Sequence, residues 1–100
     1  MIVHIVLFRF REENKEAHIE KVSEMLNGLL GSVPTLKSME VGINYSDKER
    51  AMDLSIITTF DNKVGFEQYA THSEHIKVVE YIRGVVVESK VVDYVKIINA

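Results

Sequence analysis

Apolar positions near the start of the chain follow first a strand pattern and then a helical one. Ile2 to Phe10 is almost continuously apolar, with β-branched and aromatic residues, which predicts a strand buried on both faces. Lys15 to Leu30 has its apolar residues on one helical stripe and its charges opposite. Asn14 is a predicted N-cap and Gly31 a predicted C-cap residue of this helix.

Two further strands are predicted in the middle of the chain. Leu36–Tyr45 and Ala51–Phe60 both mix apolar and polar residues in partial alternation. Between them lies the polar segment Ser46–Arg50. Because this connection is short, the two strands are expected to be antiparallel neighbours.

The last third predicts a broken helical region followed by a strand. Asp61–Asn62 offers an N-cap for the short helix Val64–Ala70, and Ser73 is the predicted N-cap of a second helix. Apolar residues then recur at helical spacing, at Ile76, Val79, Ile82 and Val86. Val85–Val87 fits either that helix or the strand predicted at Val91–Ile98.

The resulting order, β-α-β-β-α-β, predicts the α+β class and a single domain over residues 1–100. It is typical of a ferredoxin-like protomer, whose four-stranded antiparallel sheet carries its helices on one face. The first and last strands are apolar on both faces, so the uncovered sheet face is expected to be buried. A second copy of the chain is the simplest cover, which predicts a homodimer.

Composition excludes several classes of function. Hydrophobic residues make up 46%, which excludes a disordered chain. The net charge is −3 and the basic residues are dispersed, so nucleic-acid binding is not expected. The absence of cysteine removes disulfides, thiolate nucleophiles and Cys-ligated zinc. The apolar N-terminus lacks the flanks of a signal peptide, and no apolar run approaches the roughly 20 residues of a membrane span. These features predict a cytoplasmic protein without membrane contact.

The best candidate for chemistry is the segment Tyr69–His75, which holds two of the four histidines. With Ser73 as N-cap, His75 lies in the first turn of a helix, where the dipole disfavours the imidazolium. A neutral imidazole can act as a general base, and the Tyr69 hydroxyl can orient it or donate to a developing oxyanion. The alternative is that both rings only fill space and bond to the backbone.

His4 and His72 are candidate ligand-binding residues beside that pair. Strand alternation places His4 on the same face as Val6 and Phe8, and if this is the helix side, His4 shares a cavity with Tyr69 and His75. Otherwise it drops out of the site. His72 is interpreted mainly as a capping or packing residue at the end of its short helix.

No metal or other cofactor is predicted. His72 and His75 are three positions apart, but a capping residue between them argues against a shared ion, and no cysteine or acidic triad is nearby. A hard cation on free carbonyls near Gly31–Thr35 remains open, since sequence does not test it.

Five pieces of the chain, in this order and spacing, resemble the stress-responsive A/B barrel (Dabb) domain family. They are His4–Phe10, Val33–Gly42, the strand end at Phe60, Tyr69–Val79 and Val91–Tyr94. The resemblance implies a ferredoxin-like protomer and a homodimer whose sheets pack face to face as an α+β barrel. It does not imply one activity, since some members are tied to stress tolerance through oligomeric stability.

One plant branch of that family closes polyketide rings with a tyrosine and the second histidine of a Tyr-x-x-His-x-x-His pattern. The resemblance maps those roles onto Tyr69 and His75, with His4 lining the same pocket. Two positions depart from the pattern: Leu54 stands where the cyclase branch has a polar residue, and Ser73 stands where the family often has proline. The first departure argues against polyketide ring closure.

Three functional hypotheses follow. The first is a cofactor-free pocket enzyme or binding protein for a small, largely apolar, oxygen-bearing molecule, with Tyr69 and His75 as its acid/base pair. The second is a stress-associated structural oligomer without chemistry. The third is a monooxygenase of the dimeric α+β barrel class.

Overall fold

The computed structural model describes residues 1–97, which form one four-stranded antiparallel sheet and three helices. The spatial strand order is β2-β3-β1-β4, with every neighbouring pair antiparallel, and the predicted ferredoxin-like order is confirmed. The elements are β1 (Ile2–Phe10), α1 (Lys15–Asn27), β2 (Ser38–Ile43), β3 (Leu54–Phe60), α2 (Lys63–Thr71), α3 (Ser73–Val85) and β4 (Val86–Val95).

The central strand β1 has the predicted bounds and separates two unlike sheet faces. Val6, Phe8 and Phe10 are buried beneath the helices, whereas Ile5 and Leu7 on the other face remain half-buried. Val3, near the start of the strand on that same face, is buried, so within residues 1–97 the helix-free face of β1 is covered only in part. The prediction of a strand buried on both faces therefore holds fully for the helix side and, within residues 1–97, only in part for the other face.

Helix α1 ends at Asn27, three residues before the predicted Leu30. Its cap is Gly28, and the chain then turns at Gly31, whose φ of 94° lies in the left-handed region that glycine adopts without strain. Asn14 precedes the helix as predicted. Its side chain makes no capping bond, because the residue itself is left-handed with φ of 55°.

The break between α2 and α3 falls at His72, and the prediction of Ser73 as N-cap is wrong. His72 is extended, and its Nδ1 accepts a hydrogen bond from the backbone N–H of Glu74 at 3.1 Å. The His72 imidazole is therefore the N-cap of α3, the role predicted for Ser73. Ser73 is instead the first helical residue. At the start of α2 the predicted cap is confirmed, since the Asn62 side chain accepts from the Gly65 N–H at 2.8 Å.

Strand β4 begins at Val86, directly after α3, and not at the predicted Val91. The ambiguous run Val85–Val87 is thus divided between the two elements without a loop. The predicted strand end, Ile98, lies outside the described residues. Strand β4 has β1 as its one neighbour in the sheet order, so it is an edge strand. Its side chains Val92 and Tyr94 are exposed on the helix-free face.

The core lies between the sheet and the helices. Its most deeply buried members come from β1, β3, α1 and the segment after α1, and they are Phe10, Phe60, Leu54, Val22 and Val33. Burial of their apolar surface at roughly 25 cal/mol per Å² is the main force holding the helices to the sheet. Within residues 1–97 no helix is both long enough and apolar enough to cross a bilayer.

Candidate active site

A pocket of about 480 Å³ lies between α3, α1 and the sheet, and His4, Tyr69 and His75 all line it. His4 is on the same face of β1 as the pocket residues Val6 and Phe8, so the histidine is on the helix side of the sheet. The sequence left open whether His4 lies on the same side of the sheet as Tyr69 and His75. In the structure all three rings line one cavity. Its volume is within the roughly 300–1,000 Å³ typical of small-molecule sites.

Apolar side chains form most of the pocket wall. The sheet contributes Val6, Phe8 and Ile56, and helix α3 contributes Val78 and Ile82. All but Ile82 are almost fully buried, so the inner wall is formed by side chains of the packed core. An apolar wall with a few polar rings at one end favours an amphipathic ligand of modest size.

His75 lies in the first turn of α3, because the His72 cap starts the helix two residues earlier. Its Nδ1 is 3.1 Å from the carbonyl oxygen of Ala70. A carbonyl only accepts, so Nδ1 carries the proton and Nε2 is the free acceptor of the neutral ring. Burial lowers the pKa of His75 more than the Ala70 bond raises it, and the nearby rings of His4 and His72 lower it further.

Tyr69 ends the apolar face of α2 and stacks near His75, with ring centroids 4.3 Å apart and planes tilted by 40°. The residue is only 3% exposed, and burial raises the pKa of its hydroxyl to about 12. The phenol therefore stays protonated at neutral pH. No hydrogen bond joins its hydroxyl to any group in residues 1–97, yet the oxygen is not enclosed, so it opens onto the pocket.

The partner of His4 is Asp93, which sequence reasoning missed. The two residues face each other in the β1–β4 register, and the His4 Nδ1 donates to the Asp93 carboxylate. This bond fixes the tautomer and leaves Nε2 as the acceptor, while the Phe66 ring packs 4.8 Å from the imidazole. Position 93 was predicted only to be in a strand. Its meeting with position 4 depends on strand register, which no local pattern carries.

Two other residues singled out from sequence lie outside the pocket lining. His72 acts as the α3 cap described above, with its Nδ1 occupied by the Glu74 amide. Leu54 is fully buried in the core, so no polar side chain enters the site from that position of β3. The structure brings His4, Tyr69 and His75 into one pocket lining, whereas His72 lies near His75 without lining the pocket.

Metal ligands do not cluster in the described part of the chain. No group of three or more His, Cys, Asp or Glu side chains there has the geometry to hold an ion. Near Gly31–Thr35, the carbonyls of Leu29 and Val33 accept backbone hydrogen bonds from the residues that follow them. A cation on other carbonyls of that segment remains an untested expectation.

Fold and pocket together define a ferredoxin-like α+β protomer with an apolar, histidine-lined cavity. The model of the stress responsive A/B barrel domain matches residues 2–96, and the chain belongs to that family. No curated protein sequence matches the chain.

Solved structures with this fold differ in what they do. A dimeric protein of unknown function with a ferredoxin-like fold from Bacteroides fragilis is 27% identical, covers 93% of both chains and has a TM-score of 0.85. A hydroxynitrile lyase from Passiflora edulis is 15% identical over 93% of this chain and 90% of its own, with a TM-score of 0.82. A putative antibiotic biosynthesis monooxygenase from Nitrosomonas europaea is 13% identical over 98% of this chain and 100% of its own, with a TM-score of 0.78. The last two show the fold alone.

Proposed function

We propose that the protein binds a small, largely apolar carbonyl compound in the protomer pocket and catalyses proton transfer on it without a cofactor. The observation that carries this proposal is the pairing of a neutral base with a protonated phenol in one apolar cavity. Within residues 1–97, His75 offers an Nε2 without a hydrogen-bond partner, and Tyr69 offers an O–H without an acceptor. Environments that set two titratable groups to opposite roles are a common mark of acid/base sites.

In the proposed reaction, His75 Nε2 removes a proton from the carbon next to the ligand carbonyl. The C–H electron pair becomes the enolate, whose negative oxygen accepts a hydrogen bond from Tyr69. In a ligand with a second carbonyl, the enolate carbon attacks it, and the alkoxide takes the proton back from the imidazolium. This cyclase-like closure conserves every atom. His4, held by Asp93, lines the same cavity and positions the ligand beside His75 by packing against it.

Exchange of α-protons for deuterium in D₂O tests the first step directly. Acetophenone and longer alkyl phenyl ketones, followed by proton NMR, should exchange faster with the wild type than with His75→Gln. General-base catalysis is typically worth about a hundredfold or more, so most of the acceleration should be lost. His18→Gln is the matched control, because His18 lies outside the pocket and bonds to Tyr81. Equal exchange with wild type and His75→Gln would move the assignment to a non-enzymatic oligomer.

The protein is further proposed to be a homodimer through the helix-free sheet face, as the Bacteroides fragilis neighbour is dimeric. That face carries half-buried Ile5 and Leu7 beside the exposed side chains of Val92 and Tyr94. Covering such a surface is favourable by roughly 25 cal/mol for each Å² of apolar area buried. The pocket is on the opposite side of the sheet, so dimerisation leaves its walls in place.

Light scattering at micromolar concentration tests the dimer with a matched pair of variants. Val92 and Val64 are 52% and 61% exposed, but only Val92 is on the helix-free face. Val92→Asp is expected to shift the mass toward one protomer, and Val64→Asp to leave it unchanged. A monomeric wild type would exclude this assembly.

A further inference from the structure

The pocket has a second polar end, opposite the histidine end and formed where α3 passes into β4. Arg83 in the last turn of α3 and Ser89 in β4 both line the cavity there. His75 and Arg83 are separated by eight positions of a helix that rises roughly 1.5 Å per residue, which gives about 12 Å. Between the two ends the α3 side of the cavity is apolar, with Val78, Val79 and Ile82.

The charge of Arg83 has no partner in residues 1–97, since no carboxylate there comes within 4.0 Å of its guanidinium. The acidic residue in the pocket lining, Glu88, forms ion pairs with two other cations. Arg9 Nε is 3.0 Å from one carboxylate oxygen, and Lys90 Nζ is 3.5 Å from the other. Ser89 also makes no side-chain hydrogen bond in the described part of the chain. This end therefore presents one free guanidinium and one free hydroxyl.

From this arrangement we infer that the natural ligand is an elongated carboxylate whose anionic end binds Arg83 while its carbonyl end meets His75. A guanidinium fork matches a carboxylate with two parallel hydrogen bonds, and an uncompensated cation beside an apolar wall favours a monoanion. A phosphate ester is a poorer fit, because the described residues supply only one free cation and no cluster of backbone N–H groups at this end. The inference rests on the proposed function for the histidine end and adds the substrate class.

A structural role for Arg83 is the competing explanation. A cation in the last turn of a helix interacts favourably with the negative end of its dipole, without any ligand. Such a role predicts a small stability change on substitution and no change in ligand preference. Ligand affinities therefore separate the two explanations, provided that the proteins compared are all folded under the conditions of the measurement.

The experiment compares decanoate, decanamide and decyl phosphate by isothermal titration at neutral pH. The acid and the amide have the same chain, so their affinity ratio reports the charge alone. Wild type should prefer decanoate by about fivefold, the scale of a partly exposed ion pair. Added salt should weaken that preference, because exposed charges are screened.

Three variants decide what causes the preference. Arg83→Gln should abolish it, while Arg83→Lys, which keeps the charge, should retain part of it. Lys77→Gln removes the same charge from an exposed position on α3 outside the pocket and should bind like wild type.

Equal affinity for decanoate and decanamide, a preference that survives Arg83→Gln, or no binding of either ligand would each overturn the inference. Tighter binding of decyl phosphate than of decanoate would contradict the carboxylate assignment. The α-proton exchange of neutral ketones depends on His75 and not on Arg83. If the wild type accelerates that exchange but shows no preference for decanoate, the proposed reaction stands and the carboxylate inference fails.

Discussion

Replacing tyrosine by phenylalanine is expected to affect Tyr69 and Tyr81 in opposite ways. Both substitutions delete one hydroxyl and keep the ring. The Tyr69 hydroxyl opens onto the pocket and bonds to no group in residues 1–97, whereas the Tyr81 hydroxyl is 3.0 Å from His18 Nδ1. Tyr69→Phe should therefore slow the catalysed proton exchange without breaking a hydrogen bond within the protein. Tyr81→Phe should break such a bond without slowing the exchange.

The expected magnitudes follow from these contacts. A net intramolecular hydrogen bond contributes about 0.5–1.5 kcal/mol, and the Tyr81–His18 bond is only part-buried, so Tyr81→Phe should cost about 0.5–1 kcal/mol. Tyr69→Phe loses no such bond, and it removes from the folded state a hydroxyl that is poorly solvated there. Its free energy of unfolding should stay within about 0.5 kcal/mol of wild type or rise. Ketone exchange should fall with Tyr69→Phe and persist with Tyr81→Phe.

Urea unfolding at one fixed protomer concentration measures the stability difference, since an associating protein has a concentration-dependent midpoint. The slope of the free energy against urea should be the same for all three proteins, so that midpoints are comparable. A Tyr69→Phe protein destabilised as much as Tyr81→Phe would refute the reasoning. It would mean that the Tyr69 hydroxyl holds the fold together and is not kept free for a ligand.

Three further outcomes are expected. Asn62→Ala should lower the free energy of unfolding by about 1 kcal/mol, because the α2 cap is lost. Asn14→Gly should not lower it, because Asn14 is left-handed and makes no capping bond. Thermal unfolding of the two variants measures the difference. Since burial lowers the pKa of folded His75 below 6.5, the unfolded chain binds its proton more readily, so stability should fall as the pH drops below about 6.5, and less steeply in His75→Gln; urea midpoints across that range measure the slopes. An ultraviolet titration should show one tyrosine ionising near pH 12, absent from Tyr69→Phe.

Local patterns predicted the elements better than the joints between them. The bounds of β1 and the Asn62 cap were predicted correctly, because apolar runs and cap chemistry are properties of a few consecutive residues. The α3–β4 joint was not, since Val85–Val87 suits a helix and a strand equally and only pairing with β1 decides between them. The Ser73 error has the same character. Serine is a better cap by general preference, but the chain turns one residue earlier and gives that role to His72.

The candidate site was predicted in part for a related reason. Tyr69 and His75 are close in sequence, so a helical break suffices to bring their rings together. The face of β1 on which His4 lies was left as two alternatives, because alternation separates the faces without saying which one the helices cover. Asp93 was missed altogether, since it reaches His4 through a pairing of strands 89 positions apart. Arg83 was also unassigned, because a lone cation late in a helix has an ordinary explanation.

The direct passage from α3 into β4 has a mechanical consequence. With no loop between Val85 and Val86, the helix that carries His75 and the edge strand that carries Val92 are joined by consecutive backbone bonds. We expect a ligand that displaces α3 outward to twist or shift the start of β4 as well, because no loop between the two elements can absorb the displacement. We therefore expect occupancy of the cavity to affect β4 at the sheet edge, the strand that carries Val92 on the helix-free face. Slower hydrogen exchange of β4 amides on ligand binding would be the signature of that coupling.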